Sequence, residues 1–293
     1  ITVQRAVRIT ADNRSKTYGN LESLGAMSIS SCTVTGIVSG VDPVPGDITG
    51  ITLTSAGSPV TATVAGSPYA IVPSAATGPY NPAYYRIEYS SDGLLTVNTR
   101  PLAFSNFLAD DKIYDGTTDV TGTGFSDDRV NSDVLTFSYS ASFEDKHVGL
   151  NKDVNFTDIA ISGGAGATNY YLVSTTGTAY ADISMRPINV TAQTDTKIYD
   201  GTDQSSSIPV VDALQTGDVV TDPGTQTYDT PAVGTGKTMS ATGTVIHDGN
   251  GGANYDITYV DDHTGVITHR EITVTADAGQ TKVYGEDNPA LYT

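Results

Sequence analysis

The sequence has one cysteine, no tryptophan and no long apolar run. Cys32 has no second cysteine to pair with, so disulfides within the chain are excluded and packing must supply the stability. A lone cysteine in the stretch Ser30–Val34 is typical of a buried or half-buried side chain, not of a reactive thiol. No apolar stretch reaches the length of a membrane-spanning helix, and no signal peptide is visible.

Basic residues are also scarce. The chain has 15 Lys and Arg against 33 Asp and Glu, which gives a formal charge of −18. A surface of this sign repels phosphates and anionic lipids, so neither nucleic-acid binding nor membrane insertion is expected. Charged residues make up only 16% of the chain, while Thr, Ser, Gly and Val are abundant. This composition favours short strands joined by turns.

One short motif recurs along the chain. Lys112–Thr117 reads Lys-Ile-Tyr-Asp-Gly-Thr, and Lys197–Thr202 repeats it letter for letter. Related versions with Tyr-Gly stand at Lys16–Gly19 and Lys282–Gly285. The glycine suits a positive φ, and the aspartate can bond its own backbone. The motif therefore predicts a strand end followed by a fixed turn, with the tyrosine ring folded over the core.

The two central copies stay in register downstream, because matching residues are 85 positions apart without a gap. The matched pairs include Asp133 and Asp218, Phe143 and Tyr228, Val148 and Val233, and the two Asn-Tyr dipeptides. From this register we select a set of structural repeat residues as the candidate site. They are Lys16, Tyr18, Gly19, Lys112, Tyr114, Asp115, Gly116, Lys197, Tyr199, Asp200, Gly201, Lys282, Tyr284, Gly285, Asn169, Tyr170, Asn254 and Tyr255.

A repeat of this size is large enough for one modest core, so the chain is predicted to be a tandem array of small domains. The predicted domains are 1–98, 99–184, 185–268 and 269–293, the last being the opening strands of a truncated fourth domain. The connections are short and contain proline, as at Ser184–Pro187. Stiff junctions of this kind predict an elongated rod.

Alternating apolar and polar residues indicate half-buried strands, for example at Ile188–Ala192 and Ile272–Ala276. In the first domain, Asp92-Gly93 between the alternating runs 84–89 and 94–97 predicts a β-hairpin. No window has sustained helical spacing. The fold class is therefore predicted to be all-β.

The two Lys-Ile-Tyr-Asp-Gly-Thr motifs, with downstream Val-Gly and Asn-Tyr, resemble the YDG-type repeat domains of large bacterial surface adhesins. The versions at Lys16–Asn20 and Lys282–Leu291 are similar to the related MBG repeats of the YGX type. The resemblance implies a β-grasp-like or small β-sandwich fold, no catalytic residues, and an extracellular place on the bacterial surface or in a secreted protein. It also implies neighbouring repeats of the same long chain as partners, and we expect a monomer.

Two hypotheses for function follow. The first is a stalk or spacer segment that projects a distal binding region from the cell. The second is that the repeats themselves bind glycan, mucin or a host surface protein through exposed tyrosines. Burial of Tyr114, Tyr170, Tyr199 and Tyr255 would remove the main candidates for the second hypothesis.

No cofactor is predicted, although the sequence leaves a structural calcium ion open. Asp248–Gly252 begins like a calcium loop, but Tyr259 stands where the bidentate glutamate is needed. Gly163–Thr168 lacks the aspartate of a calcium-binding nonapeptide. Paired aspartates could still meet at junctions; they are Asp110-Asp111, Asp127-Asp128 and Asp261-Asp262.

A covalent alternative also stays open. The motif lysines and the asparagines Asn169 and Asn254 could form amide crosslinks, which need a buried carboxylate beside each pair and lower the mass by one ammonia per bond. The simpler interpretation places the lysine stem over the tyrosine ring with its amine in water.

No enzyme is predicted. Gly234–Thr238 resembles a phosphate loop, but Pro231 stands at the position of the first glycine. The four histidines fit no nucleophile pattern, and no Gly-x-Ser-x-Gly elbow is present. A catalytic site repeated in every domain, without tryptophan to line a sugar groove, is not expected.

Overall fold

The computed structural model describes residues 4–37, 47–276, 278–279 and 281–287. The prediction of an all-β protein is confirmed, because these residues form strands joined by turns and short 3₁₀ segments, without an α-helix. The strands of the first predicted domain are β1 (Arg5–Ala11), β2 (Arg14–Thr17), β3 (Gly25–Ser28), β4 (Cys32–Thr35), β5 (Gly50–Thr54), β6 (Tyr69–Thr77), β7 (Tyr85–Ser90) and β8 (Gly93–Asn98).

The two central repeats contain the remaining strands. Those of the second are β9 (Arg100–Leu102), β10 (Phe104–Leu108), β11 (Lys112–Ile113), β12 (Gly124–Asp127), β13 (Thr136–Phe143), β14 (Gly149–Gly163), β15 (Tyr170–Leu172) and β16 (Gly177–Ser184). Those of the third are β17 (Arg186–Thr191), β18 (Thr196–Ile198), β19 (Val210–Val211), β20 (Val219–Asp222), β21 (Thr225–Tyr228), β22 (Gly234–Thr242), β23 (Val245–His247), β24 (Tyr255–Val260) and β25 (Asp262–Thr268).

The chain groups into two compact units. The first comprises Ile1–Lys112, Thr118–Asp145 and Leu150–Asp182. The second comprises Ile113–Thr117, Lys146–Gly149 and Ile183–Thr293. Two short segments of the second repeat therefore belong to the compact unit that holds the third repeat.

The first domain is a sandwich of two sheets, with strand orders β4-β1-β7 and β2-β8-β6-β5-β3. Val7 and Ile9 on β1 face Leu53, Ile71 and Leu95 of the other sheet in a common buried cluster. Burial of these aliphatic side chains from both sheets supplies the main stabilisation of the domain.

The third repeat has a related plan. Sheets of order β19-β17-β24 and β18-β25-β22-β21 enclose a core that includes Val190, Tyr228, Met239 and Ile267. The second repeat has sheets of order β15-β9, β10-β12 and β11-β16-β14-β13. Six of its aromatic rings pack against one another around the buried Phe156, and they belong to Phe104, Phe107, Phe125, Phe137, Tyr139 and Phe156.

One parallel pairing recurs and places the Asn-Tyr dipeptides. The first strand of each repeat pairs in parallel with the strand that Asn-Tyr opens, β9 with β15 and β17 with β24. Tyr170 therefore lies opposite Arg100, and Tyr255 lies opposite Arg186. The tyrosine is thus fixed at the start of the repeat's first sheet.

The predicted hairpin around Asp92-Gly93 is wrong, because β7 pairs with β1 whereas β8 pairs with β2 and β6. Asp92 binds the Arg8 guanidinium, and a side chain at Gly93 would collide with the carbonyl of Ala11. The Asp-Gly pair therefore carries the chain from one sheet to the other, close against β1.

The strand predicted at Ile272–Ala276 is absent, and Ile272 is 83% exposed. Its counterpart β17 is stabilised by pairing with β19 and β24, and residues 272–276 have no such partner in the described chain. Pro43, Pro45 and the Asn-Pro-Ala-Leu end of the last motif lie outside the described residues. The domain limits 1–98, 99–184, 185–268 and 269–293 stay predictions.

Candidate functional site

The two Tyr-Asp-Gly turns have the same local hydrogen bonds. Asp115 Oδ1 accepts from the backbone N–H and the hydroxyl of Thr117, both at 2.9 Å. Asp200 Oδ1 accepts from Thr202 in the same way, also at 2.9 Å. The glycine between them has φ 81° in the first copy and 86° in the second, a conformation that favours glycine. The turn is thus fixed by its own side chains.

The lysines of the two Tyr-Asp-Gly motifs bind backbone carbonyls and lie over an aromatic ring. Lys197 Nζ donates to the carbonyls of Thr202 and Gln204 at 2.8 Å and lies 5.3 Å from the Tyr228 ring centre. Lys112 Nζ lies 5.3 Å from the Phe143 ring centre in the matched position. The covered ring is therefore not the motif tyrosine, and the amine is bonded within the protein. These cation–π contacts tie the turn to its own repeat.

The first motif tyrosine belongs to a buried polar cluster in the first compact unit. Tyr18 and Tyr170 donate their hydroxyls to the two oxygens of Asp133, at 3.2 and 2.7 Å. Their rings meet edge to face, with centroids 5.6 Å apart. One carboxylate thus joins a tyrosine of the first domain to the Asn-Tyr tyrosine of the next repeat.

The second compact unit contains the same cluster. Tyr114 and Tyr255 donate to Asp218 Oδ2 at 2.9 and 2.7 Å, and their rings meet edge to face at 5.5 Å. Lys146 Nζ lies 3.4 Å from Asp218 Oδ1 and 5.8 Å from the Tyr114 ring centre. The Asp218 side chain is 1% exposed, and the two hydroxyls and the Lys146 amine compensate the cost of burying it.

A further residue covers two of the motif glycines, Gly19 and Gly116. A Cβ atom at Gly19 would lie 2.6 Å from Val130 Cγ2, and one at Gly116 would lie 3.2 Å from Gln215 Cβ. Val130 and Gln215 are 85 positions apart, and each donates its backbone N–H to the hydroxyl of Tyr170 or Tyr255, at 3.0 and 2.8 Å. The motif glycine thus permits close approach of the following repeat as well as the turn.

Gln215 also binds with its side chain. With its amide oriented to satisfy its neighbours, it accepts from the Arg186 guanidinium at 2.9 Å and donates to the Asp115 carbonyl at 3.0 Å. It therefore connects the Tyr-Asp-Gly turn to the arginine that opens the next repeat.

The asparagines form the last common contact. Asn169 Oδ1 accepts from the backbone N–H of Val64 at 2.9 Å, and Asn254 Oδ1 accepts from that of Val148 at 3.0 Å. Both asparagines are buried, and Asn254 Nδ2 also lies 3.2 Å from His147 Nδ1. A buried amide that satisfies a backbone group of another segment fixes the two segments in one register.

The protonation states follow from burial. Burial, aided by the hydrogen bond to Asp133, raises the pKa of Tyr170 to about 12. Burial likewise raises the pKa of Tyr18, Tyr114 and Tyr255. The hydrogen bond with Tyr114 raises the pKa of Lys146. The tyrosines therefore stay neutral donors near pH 7.

The remaining motif tyrosines differ. Tyr199 is 41% exposed, and it lies in a surface groove of about 560 Å³ with Asp200, His269 and Arg270. Tyr284 is fully exposed, in a segment without strands. Lys282 and Gly285 lie in the same segment. The structure thus brings two of the four motif tyrosines into clusters.

The acidic pairs considered for calcium have other partners. Asp111 Oδ1 accepts from the Asp182 N–H at 2.7 Å, Asp128 Oδ1 from the Ala103 N–H at 2.9 Å, and Asp262 Oδ1 from the Thr264 N–H at 2.8 Å. Among the described residues, no group of three or more His, Cys, Asp or Glu side chains could hold a metal ion. The part of the chain that the structure describes also has no helix of the length and apolarity that spanning a membrane requires.

Asp133 and Asp218 were not among the candidate residues, although the 85-residue register pairs them. The matched spacing was the available signal, but it does not tell an exposed turn aspartate from a buried acceptor. Val130 and Gln215 are different residue types, so the identities shared by the two repeats did not indicate their common role.

A comparison with curated proteins gives no match. Among solved structures, the crystal structure of Drosophila N-cadherin EC1-3 is 10% identical, and the alignment covers 88% of this chain and 98% of that one. Its TM-score of 0.22 is too low to support a common fold.

A comparison with protein families matches the YDG domain at residues 98–178 and again at 184–264. The two matches together span more than half of the sequence and include both Tyr-Asp-Gly turns and both Asn-Tyr dipeptides. The chain therefore belongs to the YDG domain family.

Proposed function

We propose that the chain is a spacer segment in which consecutive repeats are joined directly, and that it acts by reach, without catalysing a reaction. The observation that carries the proposal is the use of the motif residues. Buried clusters that join one repeat to the next contain Tyr18, Tyr114, Tyr170 and Tyr255. Side chains that bind each other in this way are withdrawn from external ligands.

The connections support the same proposal. One residue, Thr99, separates β8 from β9, and one residue, Met185, separates β16 from β17. With so short a connection and a buried polar cluster beside it, neighbouring repeats have little freedom to reorient. We propose that the array is an elongated, semi-rigid rod for this reason.

The wider setting is also a proposal. The flanking motifs of the Tyr-Gly type resemble MBG repeats, and the family resemblance points to a bacterial adhesin that is surface-anchored or secreted. The net charge of −18 supports a role in which the segment neither collapses nor binds anionic partners. In this setting the segment would project a distal binding region from the cell.

Small-angle scattering with and without calcium tests the spacer proposal. A compact globule of this length would have a radius of gyration of about 19 Å, so we expect a clearly larger value and a maximum dimension that grows with each added repeat. A radius of gyration near the globular value contradicts the proposal. A change on adding calcium would indicate an unassigned cation site.

The binding alternative keeps one of its four main candidates, since Tyr199 is 41% exposed whereas Tyr114, Tyr170 and Tyr255 are buried. Tyr84, Tyr171 and Tyr180 are also exposed. Against it, the positions 85 residues after Tyr171 and Tyr180 are Asp256 and Gly265, so these two exposed rings do not recur. We expect no signal on a glycan or mucin array. A signal that Tyr180→Ser abolishes, while the buried tyrosines are intact, would favour the binding function.

A further inference from the structure

The third motif tyrosine lacks the cover that its two counterparts have. Tyr18 is 3% exposed and Tyr114 is 0% exposed, whereas Tyr199 is 41% exposed. The backbone of the motif glycine is the same in all these copies, since Gly19, Gly116 and Gly201 have φ between 81° and 86°. The difference therefore lies in what covers the turn.

Corresponding residues of two repeats form the cover in the two units. In the first unit it consists of Val130, Asp133, Asn169 and Tyr170, and in the second of Gln215, Asp218, Asn254 and Tyr255. The second set is the first moved along the sequence by 85 positions. In both, the aspartate stands three residues after the one that covers the glycine, and Asn-Tyr begins 36 residues after the aspartate.

The surface around Tyr199 has the matching receptor groups. A Cβ atom at Gly201 would meet nothing within 4 Å, so space is open where Val130 and Gln215 lie in the other copies. Val233, the counterpart of Val148, is 38% exposed at the position whose N–H the asparagine binds. Arg270 occupies the position in the sequence at which Arg186 opens the preceding unit, and it lies in the groove beside Tyr199.

We propose that this surface is a docking site for a following repeat of the chain that carries the same aspartate and Asn-Tyr set. The occupant presents an aspartate to the Tyr199 hydroxyl, an Asn-Tyr tyrosine edge to face against its ring, and an asparagine to the Val233 N–H. Pro231 stands where Lys146 does in the second unit, so this interface lacks that ion pair. The proposal rests on the proposed function, because it names the partner of a directly joined array.

A second copy of this chain is a weaker occupant. Its two suitable aspartates, Asp133 and Asp218, are already bound by Tyr18 and Tyr114. A repeat whose aspartate and Asn-Tyr tyrosine are not already bound by another motif tyrosine is therefore the partner with complementary chemistry.

The test is a tandem chain in which a copy of residues 185–268 is inserted after Thr268 of the full sequence. Nitration with tetranitromethane, mapped by mass spectrometry, reports the exposure of each tyrosine. In the parent chain Tyr199 is expected to react. In the tandem chain its reaction should fall to the level of Tyr114, while the corresponding tyrosine of the inserted copy reacts. The matched control carries Asp218→Ala and Tyr255→Ala in the inserted copy only, and should restore the reaction of Tyr199.

Two outcomes overturn the proposal. One is unchanged reaction of Tyr199 in the tandem chain, and the other is protection that the control variant does not remove. If the first inserted copy does not fold, a copy of residues 99–184 is inserted in its place. This copy carries Asp133, Asn169 and Tyr170, so it tests the same proposal. Concentration-dependent protection of Tyr199 in the parent chain would instead assign the surface to a second copy. The nitration experiment measures tyrosine exposure alone. The scattering and array experiments can therefore contradict the spacer proposal without contradicting the docking proposal.

Discussion

At the scale of residues, one carboxylate organises each cluster. Asp133 and Asp218 accept from two tyrosine hydroxyls each, and in both clusters the two tyrosine rings meet edge to face. The sequence predicted the tyrosines and the asparagines, because they recur as identities. It did not predict the role of the aspartates, because burial depends on segments that are more than one hundred positions away.

Removal of the Asp218 carboxylate should be costly. Asp218→Ala leaves two buried hydroxyls and the Lys146 amine without their acceptor, and we expect the free energy of unfolding to fall by about 3 kcal/mol. Urea unfolding measures the loss. Asp256→Ala, at an exposed position of β24, is the matched control and should cost under about 0.5 kcal/mol. Equal losses for the two variants would contradict the role given to Asp218.

The buried tyrosines predict loss of stability at high pH. Tyr170 has a pKa of about 12 in the folded chain against an ordinary value of 10.0, so between these values the unfolded chain has lost a proton that the folded chain keeps. The free energy of unfolding should therefore fall as the pH rises above 10, by about 1.4 kcal/mol per pH unit for this group. In the Tyr170→Phe chain, the change of the free energy of unfolding with pH should be smaller by an amount that corresponds to about one proton.

Denaturant unfolding between pH 9 and pH 11.5 measures this slope. Tyr180→Phe, which changes an exposed tyrosine, should leave it unchanged. A slope that does not differ between the Tyr170→Phe and Tyr180→Phe chains would show that Tyr170 ionises equally in the folded and unfolded states.

At the scale of elements, the turns were predictable and the strand pairing was not. The Asp-Gly turn chemistry is local, so the sequence contains it. The hairpin at Asp92-Gly93 failed because the pairing of β7 and β8 depends on which sheet lies beside each strand. The strand at Ile272–Ala276 failed for a related reason, since alternation gives a half-buried strand only where a partner strand is present.

Substitution of alanine for Gly201 and for Gly19 should distinguish the cost of the left-handed backbone from the cost of close packing. Gly201→Ala meets open space, so it should cost about 1 kcal/mol for the left-handed backbone alone. Gly19→Ala has the same backbone cost and also forces Val130 away, so we expect about 1–3 kcal/mol more. Thermal unfolding of both variants provides the comparison. Equal costs would show that Val130 gives way freely.

At the scale of the whole molecule, the boundaries of the compact units differ from the boundaries of the sequence repeats. Ile113–Thr117 and Lys146–Gly149 belong to the second repeat by sequence, but they lie in the compact unit of the third. Sequence alignment marks where a motif begins again, whereas compactness follows buried contacts. The two criteria disagree here because the motif tyrosine packs on the following repeat.

The division into units predicts localised effects of the cluster variants. Tyr114→Ser should speed amide hydrogen exchange in Ile183–Thr268 and leave Arg5–Leu102 unchanged, and Tyr18→Ser should do the reverse. Hydrogen–deuterium exchange with mass spectrometry gives the pattern. Faster exchange across the entire chain in either variant would mean that the units unfold together.

The positions of the clusters within each repeat have one more consequence. The hydroxyl donor of a repeat is in the turn after its first strands, and the acceptor aspartate is in a later loop, so the contact is made by unlike surfaces. Such a heterologous contact gives the series a direction and no natural point of closure. A damaged acceptor therefore interrupts the series at a single place.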